Sequence, residues 1–167
     1  MVKSVLDNWQ LSGIYTYASG FPTSVLVTSS ALGDISGSNI AARPDIVKGV
    51  DADAGPKSAP DGQGWFNRAA FAMPAKGTFG NSGPNNFTGP PINNWDMTLI
   101  KTIPLGNERR SLRIRVEAYN LFNHTQFLNI DSAARFNAAG VQINSQLGWP
   151  TATRQPRVIQ LGATLYF

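Results

Sequence analysis

Apolar and polar residues alternate with a period of two through four segments of this chain, the pattern of strands with two chemically different faces. Across residues 9 to 21 the odd positions are Trp9, Leu11, Gly13, Tyr15, Tyr17, Ser19 and Phe21, against Gln10, Ser12, Ile14, Thr16, Ala18 and Gly20. "TSVLVT", residues 23 to 28, continues that strand past an irregularity at Pro22, because proline cannot donate to a ladder. The second segment sets Trp95, Met97, Leu99 and Ile103 against Asp96, Thr98, Ile100 and Thr102, with Lys101 the one misfit. The third puts Leu112, Ile114, Val116, Ala118 and Phe122 on one side and Arg113, Arg115, Glu117, Tyr119 and Asn123 on the other. The fourth sets Ile159, Leu161, Ala163, Leu165 and Phe167 against Val158, Gln160, Gly162, Thr164 and Tyr166. Wound as a helix, the third segment would mix arginine and glutamate into every apolar stripe, so a strand is the better reading.

The connections carry as much information as the strands. Segments two and three are joined by "PLGNERR", whose Gly106-Asn107 pair tolerates positive φ and suits a hairpin. Segments one and two are separated by residues 29 to 92, and segments three and four by 124 to 156, both rich in Gly, Pro, Ser and Asn. Loops that long are unusual in a compact soluble domain. Short turns on one rim and long loops on the other are the pattern of a transmembrane β-barrel.

The expected fold class is therefore all-β, an antiparallel transmembrane β-barrel fragment of about four strands with one short periplasmic turn and two long extracellular loops. The third and fourth segments have about the 10 residues that such a strand needs. Trp9, Tyr15, Tyr17, Trp95, Phe122 and Phe167 become candidates for the interfacial aromatic girdles. Alternation alone also fits a soluble β-sandwich, a binding module that would use its Trp and Tyr residues to stack on carbohydrate. A porin or adhesin barrel end is a third reading. Four strands close no barrel, and lipid tolerates no open sheet edge, so the barrel reading implies that this sequence is part of something larger. The N-terminus, "MVKSVLDNWQLSGIYTY", has no apolar stretch of secretory-signal length, which points the same way.

Composition narrows the chemistry. The 167 residues carry 14 basic and 10 acidic side chains, and residues 29 to 92 balance to zero. The excess lies from residue 93 onward, around Arg109, Arg110, Arg113 and Arg115, with Arg135, Arg154 and Arg157 further along. Two of these arginines alternate with Leu112, Ile114 and Val116, which makes them one face of a strand rather than a phosphate-binding patch, and nucleic acid is not an expected partner. There are no cysteines and one histidine, His124, so nucleophile–base pairs and thiolate metal sites are nearly out of reach. No catalytic residue, metal ligand or cofactor is expected. His124 has no Asp, Glu or Cys at ligand spacing. Asp51, Asp53 and Asp61 resemble a calcium loop only faintly, since Gly55 and Lys57 stand where oxygen ligands belong. Gly77, Gly80 and Gly83 lack the following helix of a phosphate cradle. Trp65, Phe66, Phe71 and Phe79 are the candidates for a ligand-contacting patch, with packing of the first long loop as the alternative.

The stretches "WQLSGIYTYASGFP", "WFNRAAFAMPAKGTFGNSGPNNFTGPPINNWDMTLIKTIPL", "RIRVEAYNLFNHTQF" and "QPRVIQLGATLYF", in that order, resemble the C-terminal end of TonB-dependent outer-membrane receptors, of the type whose N-terminus carries a carboxypeptidase-regulatory-like domain. In that family about 22 strands enclose a plug domain. The resemblance implies strands at about 8–28, 93–104, 111–123 and 157–167, with loops at about 29–92 and 124–156. It implies a lumen face with Arg113, Arg115, Glu117 and Tyr119, which would contact the plug. It implies a lipid face with Leu112, Ile114, Val116, Ala118, Ile159, Leu161, Ala163 and Leu165. Phe167 matches the terminal aromatic read by the barrel-assembly machinery. The expected location is the bacterial outer membrane, and the expected role is a structural part of a transporter for a scarce nutrient, inactive alone. The expected partners are outer-membrane lipid, the rest of the barrel and plug, the assembly machinery and an energy-coupling protein. The signal peptide, plug and energy-coupling box of the family have no counterpart in this sequence.

Overall fold

The computed structural model describes residues 6–28, 41–53 and 64–167. Apart from helical Leu6 and one three-residue 3-10 turn, Arg68–Ala70, the regular elements among the described residues are all β-strands. Four strands are long: β1 (Trp9–Ala18), β7 (Ile92–Leu105), β8 (Asn107–Tyr119) and β12 (Val158–Tyr166). Between them lie the short strands β2 (Pro22–Thr23), β3 (Leu26–Val27), β4 (Asp45–Ile46), β5 (Phe71–Ala72), β6 (Phe87–Thr88), β9 (Phe127–Ile130), β10 (Ala133–Ala134) and β11 (Pro150–Thr153). The chain divides into two compact units.

The first unit takes the residues up to Ala18, Ile92–Gln126 and Arg154–Phe167. Its core is a single antiparallel sheet in the order β1-β7-β8-β12. Among the described residues β1 and β12 pair on one side only, so the sheet is open. The β7–β8 hairpin turns at Gly106, whose φ of +79° is left-handed and costs an L side chain energy. Asn107 already belongs to β8, so the turn is tighter than the Gly-Asn pair suggested. Asparagines mark the other strand ends: Asn8, Asn120 and Asn123 have φ of +63°, +52° and +53°, a conformation that Asn reaches more easily than other non-glycine residues. Asn120 then locks the exit from β8, its Oδ1 accepting from the His124 N–H (3.1 Å) and its Nδ2 donating to the His124 carbonyl (3.0 Å).

The second unit, Ser19–Pro91 and Phe127–Thr153, collects the two long loops. Val25, Phe66, Phe71, Phe87, Phe136 and Leu147 form a hydrophobic core, with Phe66, Phe71 and Phe87 in edge-to-face contact at centroid distances of 4.8 to 6.1 Å. Short pairs frame it: β2 with β6, β4 with β5, β9 with β11, and the parallel pair β3 with β10. Buried Asn144 ties the second loop together, donating to Asp131 Oδ2 (2.9 Å) and the Ala133 carbonyl (2.8 Å).

This unit also corrects the first predicted strand. β1 stops at Ala18 rather than running to residue 28, and "TSVLVT" belongs to β2 and β3 in the second unit. Gly20 packs so closely on the Gly89 backbone that a Cβ would come within 1.7 Å of its carbonyl oxygen, and Pro22 follows. A straight ladder ends where the chain is pressed in this way.

Candidate functional site

The registers of the four long strands place whole rows of side chains on one face. Leu11 pairs with Leu99, Leu99 with Val116 and Val116 with Leu161, a straight apolar row across the sheet. The next row is Gly13, Met97, Ala118 and Ile159, and on the other side Trp9, Lys101, Ile114 and Ala163. Directly opposed residues share a face, so the eight predicted members Leu112, Ile114, Val116, Ala118, Ile159, Leu161, Ala163 and Leu165 lie on one apolar surface. Every residue of β12 is exposed, including Leu161 at 78%, so this surface is not the core of the unit.

Lys101, the misfit of the pattern, is accommodated at that surface. Its Nζ lies 4.8 Å from the centre of the Trp9 ring and donates to the Asp7 carbonyl. At the opposite end of the strands a line of rings runs across the same surface. Tyr15 and Trp95 are 4.7 Å apart, Trp95 and Phe122 6.4 Å, and Phe122 stacks on His124 at 5.7 Å. Trp9 and Tyr15 are six residues apart on β1, about 20 Å along a strand.

The opposite face is polar. Its rows include Ser12, Thr98, Glu117 and Gln160, and then Thr102, Arg113 and Thr164. The four residues expected on it, Arg113, Arg115, Glu117 and Tyr119, do share it, but they do not form one site. Arg115 pairs with Glu117 at 3.3 Å, and Arg113 and Arg115 border a 290 Å³ concavity over Gly162 with Thr164 and Tyr166. Tyr119, about 13 Å further along β8 from Arg115, belongs to a second concavity of 510 Å³.

That second concavity was not singled out from the sequence. Its wall is a chain of oriented side chains. The Gln126 Oε1 accepts from the Asn93 N–H (3.1 Å), and its Nε2 donates to Asn94 Oδ1 (3.2 Å). Asn94 Nδ2 donates to Asp96 Oδ1 (2.8 Å), which also accepts from the Asn120 N–H (2.9 Å). Arg154 and Gln155 enter from the other side, with Arg154 held through its backbone N–H on the Gln126 carbonyl (2.7 Å). The one sequence cue was the cluster "NNWD", where polar residues crowd the start of a strand.

The remaining candidates fall elsewhere. Trp65, Phe66 and Phe71 are buried in the second unit, so they pack its loops instead of forming an exposed patch; Phe79 alone of the four is exposed. Trp65 meets Phe127 edge to face at 5.6 Å. Gly80 permits close packing, since a Cβ there would lie 2.0 Å from the Arg43 carbonyl oxygen. Asp51 accepts from the N–H of Asp53 (2.9 Å), an ordinary turn, while Gly55, Lys57 and Asp61 lie outside the described residues. Phe167 is 95% exposed.

Residues 1–160 match the family model described as an outer membrane beta barrel domain. Neither a curated protein nor a solved structure matches the chain.

Proposed function

The chain belongs to the outer membrane beta barrel domain family, and from that premise we propose that its four long strands are wall strands of a TonB-dependent receptor taking up a scarce nutrient. Family membership implies a location in the bacterial outer membrane. The observation that carries the finer reading is the in-phase pairing of four strands into one apolar and one polar face. The apolar face meets lipid and the polar face lines a wet lumen, as in barrels that carry solutes. The ring line at Tyr15, Trp95 and Phe122 and the Trp9–Lys101 pair are the two interfacial belts.

Several features agree with this reading. β7 and β8, at 14 and 13 residues, exceed the length that a tilted strand needs to cross the apolar band. The open edges of β1 and β12 cannot face hydrocarbon, so further strands complete the barrel. Arg113 and Arg115 meet the plug, Phe167 serves barrel assembly, and an energy-coupling protein acts through the plug-bearing part. The role is transport, without catalysis by these residues. The resemblance of the four quoted stretches to receptor C-terminal ends supports the assignment to this class over a porin.

The test is fractionation of the native polypeptide with an antibody against residues 45 to 64. A heat-modifiable outer-membrane band several times heavier than 18.0 kDa is expected. An 18.0 kDa band in the soluble fraction would replace this reading with the sandwich module.

A further inference from the structure

We infer that the 510 Å³ concavity on the polar face is a binding site for a small neutral saccharide. The inference rests on the reading that this face lines a lumen, where a passing solute reaches it. The volume falls in the range of small-molecule sites, roughly 300–1,000 Å³.

The lining chooses the ligand class. Five amide side chains border the space, those of Asn94, Asn120, Gln126, Gln155 and Gln160. An amide presents donors and an acceptor together, which matches a hydroxyl group that does both. The single carboxylate, Asp96, and the single guanidinium, Arg154, cancel in formal charge, so the site has no net pull on an ion. Asp96 takes both of its hydrogen bonds through Oδ1, leaving Oδ2 without a partner among the described residues. The side chains of Arg154, Gln155 and Gln160 likewise make no hydrogen bond among the described residues, although all three border the space. The Tyr119 ring, with its cross-strand partner Val158, supplies an apolar flank for the C–H face of a sugar ring. Asn94 and Gln126 are already oriented by their mutual hydrogen bond, so little ordering is left for binding to impose. An amino-acid zwitterion would engage the two charged groups and leave the amides of Gln155 and Gln160 idle.

The experiment uses the native outer-membrane protein that carries this chain, purified in detergent, with saturation-transfer NMR as the readout. The probes are maltose, cellobiose and N-acetylglucosamine, with glycylglycine and inorganic phosphate beside them. Transfer to at least one sugar is expected, and Arg154→Ala and Gln160→Ala should each weaken it roughly tenfold, the loss of about one hydrogen bond. Both residues are exposed and bear no side-chain hydrogen bond among the described residues, so the variants should keep the heat-modifiable mobility of the folded protein. Folded protein that is silent to all three sugars overturns the inference. Transfer to glycylglycine alone overturns it in favour of a zwitterion site, and to phosphate alone in favour of an anion site. Sugar binding unchanged in both variants places the site elsewhere. Fractionation separates this from the reading beneath it: a polypeptide found outside the outer membrane sinks the barrel whatever it binds, whereas an outer-membrane protein silent to sugars sinks only the saccharide site.

Discussion

Lys101 lies directly across the sheet from Trp9, its ammonium 4.8 Å from the centre of the indole, on a face whose central rows are otherwise apolar. A lysine in the middle of a lipid-facing surface would cost roughly 2–4 kcal/mol, but near an interface the cost falls to about 0–1 kcal/mol. The Asp7 carbonyl and the ring give this one a place at the turn end of the strands. Trp9→Ala should weaken the folded native protein in lipid vesicles by about 1 kcal/mol. A double-mutant cycle with Lys101→Met should show a coupling of about 0.5–1 kcal/mol in denaturant unfolding, and zero coupling would mean the pair is only a geometric neighbour.

The two faces make a sharper prediction. Leu99 sits in the central apolar row between Leu11 and Val116, and Thr98, one residue away, sits between Ser12 and Glu117. Leu99→Arg should destabilise the membrane-inserted protein by about 2–4 kcal/mol and deplete its heat-modifiable band. Thr98→Arg, facing the polar side beside Glu117, should be nearly neutral. Equal tolerance of the two substitutions would remove the lipid assignment of the apolar face.

The parity of the long strands was legible because a period of two survives in Leu112 to Ala118 and in Ile159 to Leu165, and the hairpin because Gly106 has a conformational role that few residues share. The second unit was not legible. Val25, Phe66 and Phe136 lie outside the strands and Phe87 in a strand of two residues, with no shared period, so only tertiary contact makes them a core. The end of β1 was misplaced for a related reason: the approach of Gly20 to Gly89 joins positions 69 residues apart, as their numbers show, and local pattern cannot register it. The polar concavity was hidden too, because Asn94, Asp96, Asn120 and Gln126 look like scattered loop and strand residues until the hydrogen bonds join them.

The core of the second unit can be tested separately from the sheet. Phe66 is fully buried and packs on both Phe71 and Phe87. Phe66→Ala should cost that unit about 3–5 kcal/mol. Its long loops should then become sensitive to brief proteolysis, with cuts within 64–91 or 127–153, while the heat-modifiable band of the barrel persists. Loss of the barrel band together with the loops would mean that the two units unfold as one.

Arg113 and Arg115 bear on the proposed plug contact. Both border the same 290 Å³ concavity, and the ion pair of Arg115 with Glu117 leaves the arginine side chain 55% exposed. If the chain is part of the proposed receptor, replacing both with alanine in the whole native protein should leave barrel assembly unchanged and render the proposed plug more sensitive to protease. Unchanged plug resistance and unchanged ligand uptake would reduce this row to charges that line a wet lumen and touch only water and each other.

Asp96 holds the mouth of the polar concavity together, since one oxygen accepts from both the Asn120 backbone and the Asn94 amide. Asp96→Ala removes that acceptor and strands the Asn120 N–H in a residue that is itself buried. An unsatisfied buried donor costs about 1–3 kcal/mol, whereas Asp96→Asn keeps an oxygen at the same place and should lose less than half as much. The local consequence is fraying of the exit from β8, because Asn120 also carries the two hydrogen bonds to His124. Amide hydrogen exchange at Asn120, Leu121 and His124 in the native protein reads this directly. Exchange should rise by about tenfold or more in Asp96→Ala and by much less in Asp96→Asn. Equal exchange in the two variants would mean that the strand end is held by its left-handed asparagines alone and that the carboxylate is free for a ligand.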